Sequence, residues 1–96
     1  MGNEGQQSIG ARFSDGTPAV AERYAQLVLW LRCERAYPPG KPLDLILAVD
    51  EGEATVSGRC IGSRRQAEGS YQVRMRLTNL TRQLRQALEA RLPVGS

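Results

Sequence analysis

The stretch YQVRMRLT, at residues 71–78, alternates strictly between apolar and polar side chains. A period of two is typical of a strand that has one face buried and the other in water. The stretch therefore predicts a half-buried strand with Arg74 and Arg76 side by side on its solvated face.

The residues after this strand predict an amphipathic helix over 82–92. Leucine recurs every four residues, which makes one apolar stripe along a helix; its members are Leu80, Leu84, Leu88 and Leu92. Asn79 or Thr81 can cap the first turn, because short polar side chains accept the free backbone N–H groups there. Pro93 ends the helix, since it lacks a backbone N–H.

Two more alternating stretches precede this pair, at residues 43–49 and 54–61. The polar turn at 50–53 contains Gly52, as a hairpin connection requires. A polar connection, 64–70, leads into the strand at 71–78. Residues 43–78 therefore predict a three-stranded antiparallel meander with the final helix packed on one face, which is an α+β fold made mainly of antiparallel strands.

Residues 19–36 allow two interpretations. Read as a helix, the segment would be capped by Thr17 and would have Pro18 in its first turn. Read as a strand, 27–33 contains five consecutive apolar residues, which suits a strand that is covered on both sides. We favour the strand, preceded by a short helix at 19–25, and we expect Tyr24 and Trp30 to lie in the core.

The length of 96 residues corresponds to one domain. Residues 1–8 offer little to bury, so we expect a flexible tail over 1–13 and one globular domain over 14–93. No stretch approaches the roughly 20 apolar residues that a membrane span needs, and no basic-then-apolar leader is present. These features favour a cytoplasmic protein that does not insert into membranes.

The reactive side chains of the sequence do not form a recognisable catalytic or metal-binding set. The chain contains no histidine, which removes serine–histidine and cysteine–histidine chemistry and leaves zinc without a ligand set. Cys33 and Cys60 are expected to be small buried thiols. The acidic cluster of Asp50, Glu51 and Glu53 is expected to be a solvated hairpin turn. We therefore expect a non-enzymatic protein without a metal or a cofactor.

Arginine supplies twelve of the thirteen basic residues. Its planar fork suits phosphates and carboxylates, so the bias fits an anionic ligand, although a GC-rich genome would also produce it. If the meander forms, the outer face around Arg59, Arg74 and Arg76 is basic. The candidate ligand-binding residues are Arg12, Arg32, Arg35, Arg59, Arg64, Arg65, Arg74 and Arg76.

Residues 39–92 resemble the second half of a PilZ domain. A glycine-containing turn and an alternating strand occupy 39–47, and VSGRCI at 56–61 matches a strand of the type v-x-G-x-v. GSYQVRMRL at 69–77 and the helix up to Leu92 complete the similarity. The resemblance implies a small six-stranded β-barrel with a C-terminal helix.

Typical PilZ domains bind cyclic di-GMP through the motifs RxxxR and D/N-x-S-x-x-G. Arg32 and Arg35 are one residue too close for the first motif. QQSIG at 6–10 lacks the acid and one spacer of the second, and DLILAV at 44–49 keeps only Asp44. The resemblance thus implies a degenerate member, a regulatory adaptor that acts through protein contacts in motility, pilus or biofilm control, with cyclic di-GMP as a second candidate ligand.

Two other classes fit parts of the pattern. A first helix and the net charge of +3 would suit a small nucleic-acid-binding domain of α-β-β-β-α layout, although TRQLR at 81–85 replaces the lysine-rich helix start of double-stranded-RNA-binding domains. A homodimer or a complex subunit is the third class, which exposure of Val28 or Trp30 at an uncovered edge would favour.

Overall fold

The computed structural model describes residues 8–49 and 52–93, which form six strands and one helix. The strands are β1 (Ile9–Phe13), β2 (Pro18–Ala25), β3 (Val28–Cys33), β4 (Pro42–Val49), β5 (Gly52–Arg65) and β6 (Tyr71–Leu77), and the helix is α1 (Arg82–Arg91). The predicted class, mainly antiparallel strand with a C-terminal helix, is therefore confirmed.

The six strands close into an antiparallel barrel of order β1-β2-β3-β6-β5-β4. The predicted meander is the β4-β5-β6 part of this barrel, and the pairing of Ala11 with Leu47 is one of those that join β1 to β4 and close it. Each strand pairs with two neighbours along part or all of its length, which closes the barrel.

Alternate side chains from all six strands fill the barrel with apolar groups. Leu31, Val73 and Leu45, for example, are fully buried. The same core cluster includes Leu88 and Leu92, so the leucine stripe of α1 covers one end of the barrel. The backbone N–H of Tyr24 donates to the carbonyl of Pro93 at 3.1 Å, which ties the end of the helix to β2.

Thr81 is the residue that caps α1. Its hydroxyl accepts a hydrogen bond from the N–H of Leu84 at 3.1 Å, as a capping side chain does. Asn79, the other predicted candidate, instead accepts from the N–H of Ser57 at 2.7 Å and so joins the helix approach to β5. The predicted helix is confirmed, and it ends one residue earlier than predicted, at Arg91.

Tyr37 closes the opposite end of the barrel. Its ring lies 4.7 Å from the ring of Phe13, centroid to centroid. Its N–H donates to the hydroxyl of Ser63, which in turn donates to the Tyr37 carbonyl, both at 2.9 Å. The Tyr37 hydroxyl donates to Asp15 at 2.8 Å. A loop residue thus completes the core where the strands end.

The expected flexible tail over 1–13 is wrong for residues 9–13, which form β1. Ile9 and Phe13 are buried in the core, so the folded domain begins before residue 14. The polar composition of residues 1–8 suggested a tail. That composition ends at residue 8, because residue 9 begins the stretch whose apolar side chains pack inside the barrel. Residues 1–7 lie outside the described part of the chain.

The expected short helix at 19–25 is also wrong, because Pro18–Ala25 is strand β2. A bulge between Ala21 and Arg23 shifts the register, so the inward side chains are spaced by two residues and then by three. That spacing imitates a helical pattern. Pro18 is tolerated as the first residue of a strand. The strand expected at 27–33 is confirmed as Val28–Cys33, and the α-β-β-β-α layout is excluded.

Candidate functional site

The outer surface of β2, β3, β6 and β5 is strongly basic. We define the basic face as Arg23, Trp30, Arg59, Arg74 and Arg76. The register places Trp30 between Arg23 on β2 and Arg74 on β6, and it places Arg76 opposite Arg59 on β5. All four arginines are exposed. The predicted basic surface around Arg59, Arg74 and Arg76 is therefore present.

Trp30 lies on the outside of the barrel and not in the core, which corrects the expectation. Its neighbours Leu29 and Leu31 are fully buried, whereas Trp30 is partly exposed on the opposite side of the strand. Because the strand has apolar side chains on both of its sides, alternation alone could not show which side faces the core. Tyr24, the other expected core aromatic, is buried as predicted.

The arginines of the basic face have no acidic partner among the residues that the structure describes. Within residues 8–49 and 52–93, no carboxylate lies within ion-pair distance of Arg23, Arg74 or Arg76. Arg59 donates to the carbonyl of Gly40 at 3.0 Å. Like charges directly opposite on adjacent strands repel each other, so the Arg59–Arg76 pair favours an anion between or beside the two side chains.

A groove of about 630 Å³ borders the basic face between the β2–β3 turn and α1. Val28 and Trp30 contribute apolar surface to it, and Arg76 contributes a positive charge. The complete lining is Tyr24, Ala25, Gln26, Val28, Trp30, Arg76 and Glu89. The groove can therefore accept an apolar group while an arginine holds an adjacent anion.

The turn beside this groove is conformationally unfavourable. Gln26 and Leu27 connect β2 to β3 with φ of 51° and 71°, the left-handed region that a two-residue hairpin turn needs and that asparagine and glycine favour. For a residue with a Cβ atom, this backbone conformation costs about 1–2 kcal/mol. Leu27 is 40% exposed at the tip of this turn.

The other candidate arginines are not all part of this surface. Arg32 and Arg64 flank Gln72 at its border, and Arg32 pairs with Glu22 at 3.1 Å. Arg65 ends β5. Arg12 lies on β1 and pairs with Glu53 at 3.7 Å, and Arg35 pairs with Asp15 at 3.1 Å. Arg12 and Arg35 are thus held elsewhere on the barrel.

Arg23 and Trp30 are the members of the basic face that the sequence reasoning missed. Arg23 faces outward because the bulge turns both Glu22 and Arg23 away from the core. An interrupted alternation of Ala19, Ala21 and Tyr24 is the only signal in the sequence that could have indicated this bulge.

The two cysteines are free and buried, as predicted. The Cys33 thiol donates to the carbonyl of Arg35 at 3.1 Å, and the Cys60 thiol donates to that of Tyr37 at 3.4 Å. Burial raises the pKa of the Cys33 thiol, which disfavours the reactive thiolate. Both side chains therefore pack in the core and hydrogen-bond to the backbone of the 35–37 segment. In the predicted acidic turn, Asp50 and Glu51 lie outside the described residues.

Asp15 is the most perturbed carboxyl group of the described chain. The N–H of Thr17 donates to it at 2.9 Å, the hydroxyls of Thr17 and Tyr37 donate as well, and the Arg35 guanidinium lies beside it. These groups favour the charged form and lower the pKa of Asp15 from 3.8 to about 2. The arrangement fixes Tyr37 in place rather than preparing an acid or a base.

The lowered pKa of Asp15 is therefore expected to make the free energy of unfolding of the barrel depend on pH in the acidic range. Its contribution is complete above pH 3.8 and is lost as the pH falls through about 2, because protonation removes the charge. The Asp15 side chain is 35% exposed, so solvent screening reduces this contribution to about 1 kcal/mol at neutral pH. Urea unfolding of wild type and Asp15→Asn should differ by this amount at pH 7 and converge near pH 2; a constant difference would contradict the assignment.

No family model, curated protein or solved structure matches this chain. In residues 8–49 and 52–93, no helix combines the length and the apolar character needed to cross a membrane.

Proposed function

We propose that this chain is a non-enzymatic regulatory adaptor of the PilZ type that binds a protein partner through its basic face. The observation that carries the proposal is a set of exposed arginines around a partly exposed tryptophan, none of them paired with a carboxylate of the described residues. The six-stranded barrel with a C-terminal helix is also the architecture that the PilZ resemblance implies, which supports the assignment to this type.

The composition of the basic face favours a protein partner. Tryptophan and arginine are the residues that most often dominate binding energy at protein interfaces. The six strands form a closed barrel, so addition of a further strand to the sheet is disfavoured and a partner is expected to contact side chains. The basic face, with Trp30 near its centre, supplies such side chains.

The ion pairs favour protein contacts over cyclic di-GMP. The arginines closest to the nucleotide motifs in sequence are Arg12, Arg32 and Arg35, and each already contacts a carboxylate. A bound phosphate would have to displace these carboxylates. Arg23, Arg74 and Arg76, which have no carboxylate partner among residues 8–49 and 52–93, lie instead on β2 and β6.

Affinity capture with a charge-reversed control tests this function. The tagged domain and its Arg74→Glu/Arg76→Glu variant are incubated with lysate of the source cells, and retained proteins are identified by mass spectrometry. We expect at least one protein to be retained by wild type and lost by the variant. Identical retention by both proteins would contradict the proposal.

Calorimetry with cyclic di-GMP tests the nucleotide alternative on wild type and on the variants Arg12→Ala and Arg35→Ala. We expect no heat of binding at micromolar ligand. Saturable binding that Arg12→Ala or Arg35→Ala abolishes would assign the chain to the nucleotide receptors of this type instead. Filter binding with RNA at low and high salt completes the comparison, because nucleic-acid affinity falls steeply with salt.

A further inference from the structure

The β2–β3 turn keeps an apolar side chain exposed at a conformational cost. Gln26 and Leu27 both have positive φ although neither is glycine. The N–H of Leu27 donates to the Tyr24 hydroxyl at 3.3 Å, and its carbonyl accepts from Leu77 at 2.8 Å, so the surrounding structure holds the turn. Disfavoured backbone at an exposed apolar residue is a feature of binding sites.

The turn is continuous with the groove and with the basic face. Gln26 lines the groove together with Val28 and Trp30, and Leu27, the residue between Gln26 and Val28 in the chain, is 40% exposed. Arg76 belongs both to the groove and to the basic face. Leu27, Val28 and Trp30 thus provide an apolar strip beside the unpaired charges of Arg23, Arg74 and Arg76.

We propose that this surface binds an acidic polypeptide segment that carries an apolar anchor, an inference that rests on the proposed adaptor function. The anchor enters the groove against Trp30 and contacts Leu27. Carboxylates on either side of it pair with Arg74 and Arg76, and with Arg23 beyond the tryptophan. Charge complementarity and the apolar strip together define this occupant.

A polypeptide fits this surface better than a nucleic acid does. Single-stranded nucleic acids need a continuous positive track and several rings on which bases stack. Here Trp30 is the one tryptophan of the chain, and two carboxylates interrupt the positive charge: Glu22 beside Arg23 and Glu89 at the groove. These carboxylates repel the regularly spaced phosphates of a nucleic acid, whereas a peptide can place uncharged residues opposite Glu22 and Glu89.

The lone tryptophan makes the test direct, because its fluorescence reports on the groove itself. The full chain is titrated with a synthetic peptide of glutamates and glycines around one central leucine, and separately with polyuridylate. We expect the peptide to change Trp30 emission saturably. Arg74→Glu should weaken binding by about tenfold or more, whereas Arg82→Glu, the same charge change on an exposed α1 arginine, should leave it unchanged.

Leu27→Gly separates a binding role from a structural one. Glycine adopts positive φ without strain, so the variant is expected to gain about 4 °C in Tm while its peptide affinity falls by about threefold to tenfold. A turn that served only the fold would show the gain in Tm without the loss of affinity, and that result would overturn the proposal. Equal peptide binding by wild type and Arg74→Glu would overturn it as well.

The remaining outcomes distinguish this inference from the adaptor function. If lysate capture finds a protein that depends on Arg74 and Arg76 but the acidic peptide does not bind, the acidic-segment inference fails and the adaptor function stands. If polyuridylate changes the Trp30 emission and the peptide does not, both fail. If the peptide binds as expected and cyclic di-GMP gives no heat, both are supported.

Discussion

Replacing Gly58 with alanine is expected to destabilise the barrel by about 3 kcal/mol, the scale of overpacking in a tightly packed site. Gly58 lies on β5 opposite Leu77 of β6. A Cβ built on Gly58 would collide with the carbonyl oxygen of Arg76 and would lie 2.9 Å from its carbonyl carbon. Because both atoms belong to the backbone, relief requires the two strands to move apart.

Gly62→Ala is the matched control on the same strand. A Cβ there would meet only the guanidinium end of Arg74, at 3.3 Å, and a flexible side chain can move by a few tenths of an ångström. Urea unfolding followed by circular dichroism should therefore show a large shift for Gly58→Ala and a shift within about 0.5 kcal/mol for Gly62→Ala. Equal shifts would mean that β5 and β6 are not as close at Gly58 as the structure describes.

The regular half of the barrel could be predicted from alternation. In the stretches that the sequence identified, the apolar side chains of β4, β5 and β6 occupy alternate positions on one side of each strand. The hairpin connections between these strands are also local in sequence. The extension of β5 to Arg65 was missed, because a bulge between Cys60 and Gly62 changes the parity and the residues beyond it are polar.

The first half of the barrel could not be predicted in the same way. The bulge in β2 gives a strand the apolar spacing of a helix, and the short β1 is recognisable only from Ile9 and Phe13, two core side chains four residues apart. Closure of the barrel depends on pairing β1 with β4, strands that are distant in sequence. Local patterns contain no information about such a pairing.

The alternation of side chains along the strands also explains which residues of the candidate site could be predicted from the sequence. Arg59, Arg74 and Arg76 follow from parity alone, because they alternate with buried residues. Arg12 and Arg35 were grouped with them by residue type and by their nearness to the PilZ-like motif stretches, and the structure places each beside its own carboxylate. Trp30 was assigned to the core because hydrophobicity in the sequence does not distinguish the inside of a barrel from a partly exposed position on its outside.

The two ends of the barrel are closed by different means, which leaves its side as the surface for the proposed binding. The leucines of α1 cover the end near Tyr24, and Tyr37 with Phe13 fills the other. The basic face lies between them on β2, β3, β6 and β5. Its rigidity depends on both closures, since loss of either would allow the strands that carry the arginines to separate.

Tyr37→Ala is accordingly expected to cost about 3–4 kcal/mol, the range for removing a buried aromatic ring. The substitution removes the ring that lies against Phe13 and leaves the Asp15 carboxylate without one of the hydroxyls that donate to it. A domain of this size is stable by about 5–15 kcal/mol, so the variant should still fold but should unfold at much lower urea. Amide hydrogen exchange should rise first at Cys33, Tyr71 and Phe13, where the strands meet Tyr37.

Tyr37→Phe separates the ring from the hydroxyl. It keeps the ring and the backbone contacts to Ser63 and removes only the hydrogen bond to Asp15, so its cost should be about 1–2 kcal/mol. The pKa of Asp15 should rise in this variant, because one of the groups that stabilise the carboxylate is lost. If Tyr37→Ala were no more destabilising than Tyr37→Phe, the ring would contribute nothing to the barrel end, and the Tyr37 loop would be a passive connection rather than the closure of the core.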